Sequence, residues 1–206
     1  MLHFSTIDTS TLELLGKLMQ VPEFENLRLV GGTSLALQLG HRNSVDIDLF
    51  GKMPTDSLEL NNILNSIARV SPLKKSPNIF IYLLDDIKVD LVNYPYPWID
   101  EELSVNNLRL ASKKDIAAMK LSAITGRGSK KDFIDLYFLL KEFSLNQMLQ
   151  FYNQKYHDGS EFMVLKSLSY FVDAENDEMP KMFEKVFWAE IKDTIKQSVD
   201  NYFSFK

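Results

Sequence analysis

Apolar positions along this chain fall into two rhythms, one of helical period and one that alternates. Residues 8–20 carry Leu12, Leu15 and Leu18 at helical spacing, behind a Thr or Ser suited to capping. Residues 27–30 form a short apolar run of strand type, and residues 34–39 read as a short helix. Residues 44–50 alternate as a second strand. Pro54-Thr55-Asp56 then starts a helix with Leu58, Ile63, Leu64 and Ile67 on or near one face. After Pro77, an apolar run at 79–84, the polar break Asp85-Asp86 and an alternating run at 87–93 predict a hairpin, although Asp-Asp is a poorer turn than Asn-Gly.

The stretch Tyr94-Pro95-Tyr96-Pro97-Trp98 is rigid and extended, and is expected to leave the sheet. Residues 112–123 are helical and are broken by Gly126-Arg127-Gly128. Helix resumes over 129–143 with Phe133, Leu136, Leu140 and Phe143 inward. From Ser144 the chain reads as all-helical, with an acidic loop at 173–178 before Pro180. Strands first and helices afterwards predict an α+β fold. It would comprise a small mixed or antiparallel sheet flanked by helices, with a core over 1–110 and a helical region over 111–206.

A chain of 206 residues, 45% hydrophobic and 25% charged, is long enough for one compact domain or a catalytic core with a helical extension. It has no cysteine, which excludes a disulfide framework and a thiolate zinc site. The three histidines, His3, His41 and His157, read as incidental, so a bound metal would be held mainly by oxygen. No run approaches the roughly 20 apolar residues needed to cross a membrane. The first residues lack the basic segment of a signal peptide and carry acidic side chains, so the expected compartment is the cytoplasm. A net charge of −5 argues against a broadly basic surface that coats nucleic acid, but not against a local basic groove.

Chemistry concentrates in Gly31–Phe50, which reads GGTSLALQLGHRNSVDIDLF. In a strand, residues two apart leave the same face, so Asp46 and Asp48 point together while Ile47 and Leu49 enter a core. Paired carboxylates repel unless a cation lies between them, and hard oxygen ligands suit Mg²⁺ or Mn²⁺. Gly31 and Gly32 allow close backbone approach to a phosphate, with Thr33 and Ser34 beside them and a helix N-terminus following. The same residues would also serve as a tight strand-to-helix turn with a Ser or Thr cap. Asp90 lies opposite the apolar Ile87, Val89 and Leu91, and would complete the metal site and help to deprotonate an acceptor hydroxyl; a plain solvent-facing strand residue is the alternative. Metal carboxylates beside a phosphate cradle point to phosphoryl or nucleotidyl transfer.

Order and spacing here resemble the nucleotidyltransferase superfamily that shares its catalytic domain with DNA polymerase β, and more narrowly the AbiEii/AbiGii-type toxins. That pattern opens with GGT, a short helix and R-x-S-x-D-I-D-L-F, present as Gly31-Gly32-Thr33 and Arg42 to Phe50. A lysine helix and R-x-x-x-K-D-x-x-D follow, present as Lys120, Arg127, Lys131, Asp132 and Asp135. The resemblance implies a sheet of the nucleotidyltransferase type. It implies two divalent ions at Asp46, Asp48 and Asp90, Lys120 on the triphosphate, and Asp135 ordering a cationic partner. Arg42 and Arg127 would add positive charge to the same pocket. Asp132 doubles as the last residue of a helix-start box, Ser129-x-x-Asp132, as does Asp115 after Ser112. Asp115 is read as structural, and Asp135 is favoured over Asp132. Lys113, Lys114, Lys120, Arg127, Lys130 and Lys131 form a basic cluster suggesting an anionic ligand.

The activity so implied is metal-dependent transfer of a nucleoside monophosphate from an NTP to an acceptor, such as tRNA or another cellular target. The chain would be a toxin held in check by an antitoxin protein. Transfer of a γ-phosphate, and a catalytically inactive nucleotide-binding regulator, are the alternatives.

Overall fold

The computed structural model describes residues 1–54 and 56–204; Thr55, which the sequence puts at a helix start, lies outside the described residues. The chain divides into two compact units. The first comprises Met1–Tyr96 and Glu101–Ala111, and the second comprises Pro97–Asp100 and the chain from Ser112 onward.

The first unit contains helices α1 (Thr9–Met19), α2 (Gly31–Leu39) and α3 (Ser57–Asn65) and a mixed sheet. Its strands are β1 (Leu27–Leu29), β2 (Ile47–Gly51), β3 (Val70–Lys75), β4 (Ile79–Leu84), β5 (Ile87–Asn93), β6 (Leu103–Val105) and β7 (Leu108–Leu110), in the order β3-β4-β5-β2-β1-β7-β6. β2 runs parallel to β5, and β1 to β7; the remaining pairs are antiparallel. Strict alternation in β2 and β5 turns Ile47, Leu49, Val89 and Leu91 into a core shared with Leu15, Leu18, Phe24 and Leu60. The opposite face of those two strands is left to Asp48, Phe50, Lys88, Asp90 and Val92, all half-buried. Sequence and structure agree on an α+β fold.

Several boundaries move, each for a local reason. Helix α2 begins at Gly31, not Ser34, and β2 begins at Ile47, so Asp46 precedes the strand. Strand β3 went unpredicted because VSPLKK has no alternation; as an edge strand it tolerates Pro72 and two lysines, and its register shifts between Pro72 and Lys74. Strands β6 and β7 are too short to show a period, and are joined by Asn106 and Asn107 in left-handed conformation (φ 51° and 63°). The Asp85-Asp86 turn is also left-handed at both positions (φ 48° and 68°), as a two-residue hairpin requires. Arg69 supports it: its backbone N–H donates to Asp85 Oδ1 at 3.1 Å and its guanidinium meets Asp86 at 2.7 Å.

The second unit is helical, with α4 (Lys113–Gly126), α5 (Lys130–Leu140), α6 (Leu145–Lys155), α7 (Glu161–Leu168) and α8 (Trp188–Ser204). Helix α5 is buried almost all round, from Asp132 to Leu139, and not along a single stripe. Lys155 and Asp115, both wholly buried, form an ion pair of 2.7 Å. Lys155 also donates to Pro97 O at 2.6 Å and lies 4.6 Å from the Trp98 ring centre, while Ile99 N donates to Asp115 Oδ1 at 2.9 Å. These bonds explain why residues 97–100 join the helical unit, and they give Asp115 the structural role its sequence context suggested.

Candidate active site

Parallel pairing sets the geometry of the sheet's polar face. Ile47 faces Val89 and Leu49 faces Leu91 on the core side, so the intervening partners Asp48 and Asp90 lie side by side on the other face. Asp46 sits one residue before the first pair of this register, next to the position of Lys88. Lys88 leaves the same face as Asp90, and its ammonium lies 2.7 Å from Asp90 Oδ1. That oxygen is buried, and the Lys88 ammonium is its charged partner. Burial works to lower the pKa of Lys88, but Asp90, Asp48 and Asp46 together outweigh it and hold the ammonium above the usual lysine range. One cation therefore feels all three carboxylates.

Helix α2 meets this face through Gly31. Its φ of 67° is left-handed, and a Cβ there would collide with Asp48 Oδ2, so only glycine lets that carboxylate lie against the backbone. At Gly32 a Cβ would run into the Arg42 guanidinium. The first N–H groups of a helix lack carbonyl partners within it, and they favour anions. Thr33 and Ser34 have inward duties instead. The Thr33 hydroxyl donates to the Asp46 carbonyl and shares a 2.9 Å hydrogen bond with Ser44 Oγ, which pins the segment before β2. Ser34 is fully buried and accepts from Gln38 Nε2 at 3.2 Å. Arg42, 3% exposed, donates to Asn43 O at 2.9 Å and buttresses the glycine turn.

The donor chemistry suits a hard divalent ion: carboxylate oxygens only, one buried beside the Lys88 ammonium and one pressed against Gly31, where a Cβ would displace it. Among the described residues, however, no three acidic or histidine side chains are yet gathered closely enough to hold a metal. Asp48 and Asp90 share a face, with Asp46 just before the strand, and the three form no closed ligand set.

A second cluster occupies the helical unit. Lys120 Nζ, on α4, lies 2.9 Å from Asp132 Oδ1 and 2.6 Å from Asp135 Oδ2, both on α5, and all three side chains are buried. Arg127 reaches Asp132 with two nitrogens, at 2.9 and 3.2 Å, and Ser129 Oγ donates to it at 2.7 Å. Burial raises the Asp132 pKa, but the Lys120 charge, the Arg127 guanidinium and the Ser129 hydroxyl more than offset it and leave the carboxyl well below its ordinary range. Asp132 is thus the hub of the cluster. Sequence reading had preferred Asp135, because Ser129-x-x-Asp132 looks like a cap. Ser129 caps nothing with its side chain; Asp177 Oδ2 instead accepts from Lys130 N at 2.9 Å.

The basic cluster on α4 and α5 is also less open than its sequence implies. Lys113 pairs with Glu142, Lys114 with Asp100, and Lys120 and Arg127 with Asp132, while Lys130 is buried and donates to the carbonyls of Glu175 and Asp177. Of the cations singled out, Lys131 is exposed, and Arg127 keeps 71% of its side chain exposed.

The family model for the nucleotidyl transferase AbiEii toxin of type IV toxin–antitoxin systems matches residues 13–204. The chain belongs to the AbiEii nucleotidyltransferase toxin family. A relative from Aquifex aeolicus (strain VF5), the uncharacterized protein aq_aa25, is 35% identical over 92% of this chain and 94% of its own length. Among solved structures, MenT4, a nucleotidyltransferase toxin from Mycobacterium tuberculosis H37Rv, superposes with a TM-score of 0.63 at 16% identity, covering 91% of this chain and 79% of that one. JHP933 from Helicobacter pylori gives a TM-score of 0.56 at 17% identity over 95% and 92% of the two chains. At these identities the structural likeness is one of fold. Among the described residues of this AbiEii-family chain, no helix is long and apolar enough to cross a membrane.

Proposed function

We propose that this AbiEii-family chain transfers a nucleoside monophosphate from an NTP to an acceptor hydroxyl in a reaction that needs Mg²⁺ or Mn²⁺. The observation that carries the proposal is the side-by-side placement of Asp48 and Asp90, with Asp48 Oδ2 against the Gly31 backbone at the start of α2. Asp46, Asp48 and Asp90 would hold the divalent cation, which when bound neutralises the triphosphate and makes the acceptor hydroxyl easier to ionise. The N–H groups at the start of α2 bind phosphate oxygens. Asp90 takes the proton from the acceptor oxygen as that oxygen bonds to the α-phosphorus and pyrophosphate departs. Lys120, buried between Asp132 and Asp135, orders a cluster within the helical unit in which Arg127 also pairs with Asp132.

Membership of a toxin family supports a cellular target as acceptor, an RNA such as tRNA among them, and a cognate antitoxin as partner. The test is incubation with each labelled NTP, Mg²⁺ and total cell RNA or protein, with Asp48→Asn protein as control. An acceptor that gains the mass of a whole nucleotide is the expected product. A gain of one phosphoryl group would replace this reading with γ-phosphate transfer, and NTP binding with no product on any acceptor would leave a nucleotide-binding regulator.

A further inference from the structure

Lys88 lies outside the GGT, R-x-S-x-D-I-D-L-F and R-x-x-x-K-D-x-x-D motifs named above, yet it stands beside the carboxylates of the polar face. It precedes Asp90 by two residues on β5 and leaves the same face. The pairing of Ile47 with Val89 and of Asp48 with Asp90 puts it close to Asp48, and Asp46, just before β2, also acts on its charge. Across the other edge of β5 its partner is Leu83, which contributes no charge. Its neighbours of opposite sign are therefore Asp46, Asp48 and Asp90. Its ammonium contacts Asp90 Oδ1, a buried oxygen, at 2.7 Å.

We propose that Lys88 is a built-in counter-ion: its ammonium holds Asp90 and neutralises the three carboxylates until a divalent cation displaces it. The proposal rests on the metal-dependent reading given above. Asp48 and Asp90 on one face, with Asp46 just before it, repel one another, so positive charge is needed there at every stage. An ammonium on a four-carbon stem is suited to supply that charge reversibly. With its side chain 39% exposed, Lys88 has a way out to solvent, whereas Asp90 at 19% is held in place. A simple surface salt bridge would leave metal affinity indifferent to the charge at position 88; a counter-ion makes the two cations compete.

The experiment is Mn²⁺ binding by calorimetry or by electron paramagnetic resonance of the unbound ion, without NTP, on wild type, Lys88→Met and Lys88→Arg. Removing one positive charge within about 5 Å of a divalent ion is expected to tighten Mn²⁺ binding on the order of tenfold even with water-like screening. Lys88→Arg, which keeps the charge, should bind like wild type. Without metal, Lys88→Met should melt below wild type, and Mn²⁺ should restore it. Equal Mn²⁺ affinity in folded wild type and Lys88→Met, or weaker binding in the variant, overturns the counter-ion while leaving the metal site standing. Absence of Mn²⁺ binding in both overturns the metal-dependent reading and the counter-ion with it. Lys88→Gln gives the same comparison should Lys88→Met not fold.

Discussion

Asp48 and Asp90 are direct partners across the parallel β2–β5 pair, so two carboxylates 42 positions apart in the chain leave the sheet on the same face. Neither serves the core, which takes Ile47, Leu49, Val89 and Leu91 from the same strands. Asp48→Ala is therefore expected to reduce nucleotide transfer by about a hundredfold or more, with a melting temperature within a few degrees of wild type. Asp46→Ala should behave alike. Transfer assays with Mg²⁺ beside thermal melts check both halves, and an Asp48→Ala protein with full transfer would remove these carboxylates from the chemistry.

Gly31 tests the cradle through the backbone. Alanine there must hold a left-handed φ of 67°, a strain of about 1–2 kcal/mol, and its Cβ would push the Asp48 carboxylate aside. Gly31→Ala should lose most transfer activity and bind Mn²⁺ more weakly, while losing only that modest stability. Gly16, where a Cβ meets nothing within 4 Å, is the control: Gly16→Ala should leave activity unchanged.

Part of this site was legible because burial on one face of β2 and β5 imposes a period of two, and that period decides which way Asp48 and Asp90 point; Asp46, outside the strand, escapes it. The glycine turn was legible for a related reason, since two glycines before a helix mark a place where side chains are sterically excluded. Strand β3 was not legible: an edge strand has no second neighbour to impose alternation, and Pro72 and the lysines fit an edge. The ion pairs within the basic cluster were not legible because the partners Glu142 and Asp100 come from other parts of the chain. Local pattern records charge but not its neutralisation. Lys88 was visible only as a residue on the outward face, and the strand pairing is what brings it to Asp46 and Asp48.

Burial changes what Lys120 should do when it is removed. As a solvated phosphate ligand it would affect only NTP binding; held between Asp132 and Asp135, it also compensates two buried carboxylates. Lys120→Ala is expected to destabilise the protein by about 3–5 kcal/mol, the range for breaking a buried ion pair. Urea unfolding at neutral pH measures this directly. An unchanged midpoint would mean that Asp132 and Asp135 do not depend on Lys120, and would return it to a ligand role alone.

The same cluster carries a pH signature through Asp132. Lys120, Arg127 and Ser129 bring its folded-state pKa below that of an unfolded aspartate, against the opposing effect of burial. A group whose pKa is depressed on folding contributes stability that is fully present above the unfolded value and is lost as pH falls toward the folded one. An unfolded aspartate titrates near 3.9, so the contribution should be constant above about pH 5 and should shrink below about pH 4. Asp132→Asn lacks the carboxylate at every pH. The stability gap between wild type and Asp132→Asn, measured by denaturant unfolding from pH 7 to pH 3, should therefore stay level and then narrow in the acid range. A gap that held its full size down to pH 3 cannot arise from this linkage, because the unfolded aspartate is mostly protonated there however low the folded-state pKa lies. Such a result would instead mean that Asp132 acts through packing, and not through its charge beside Lys120 and Arg127.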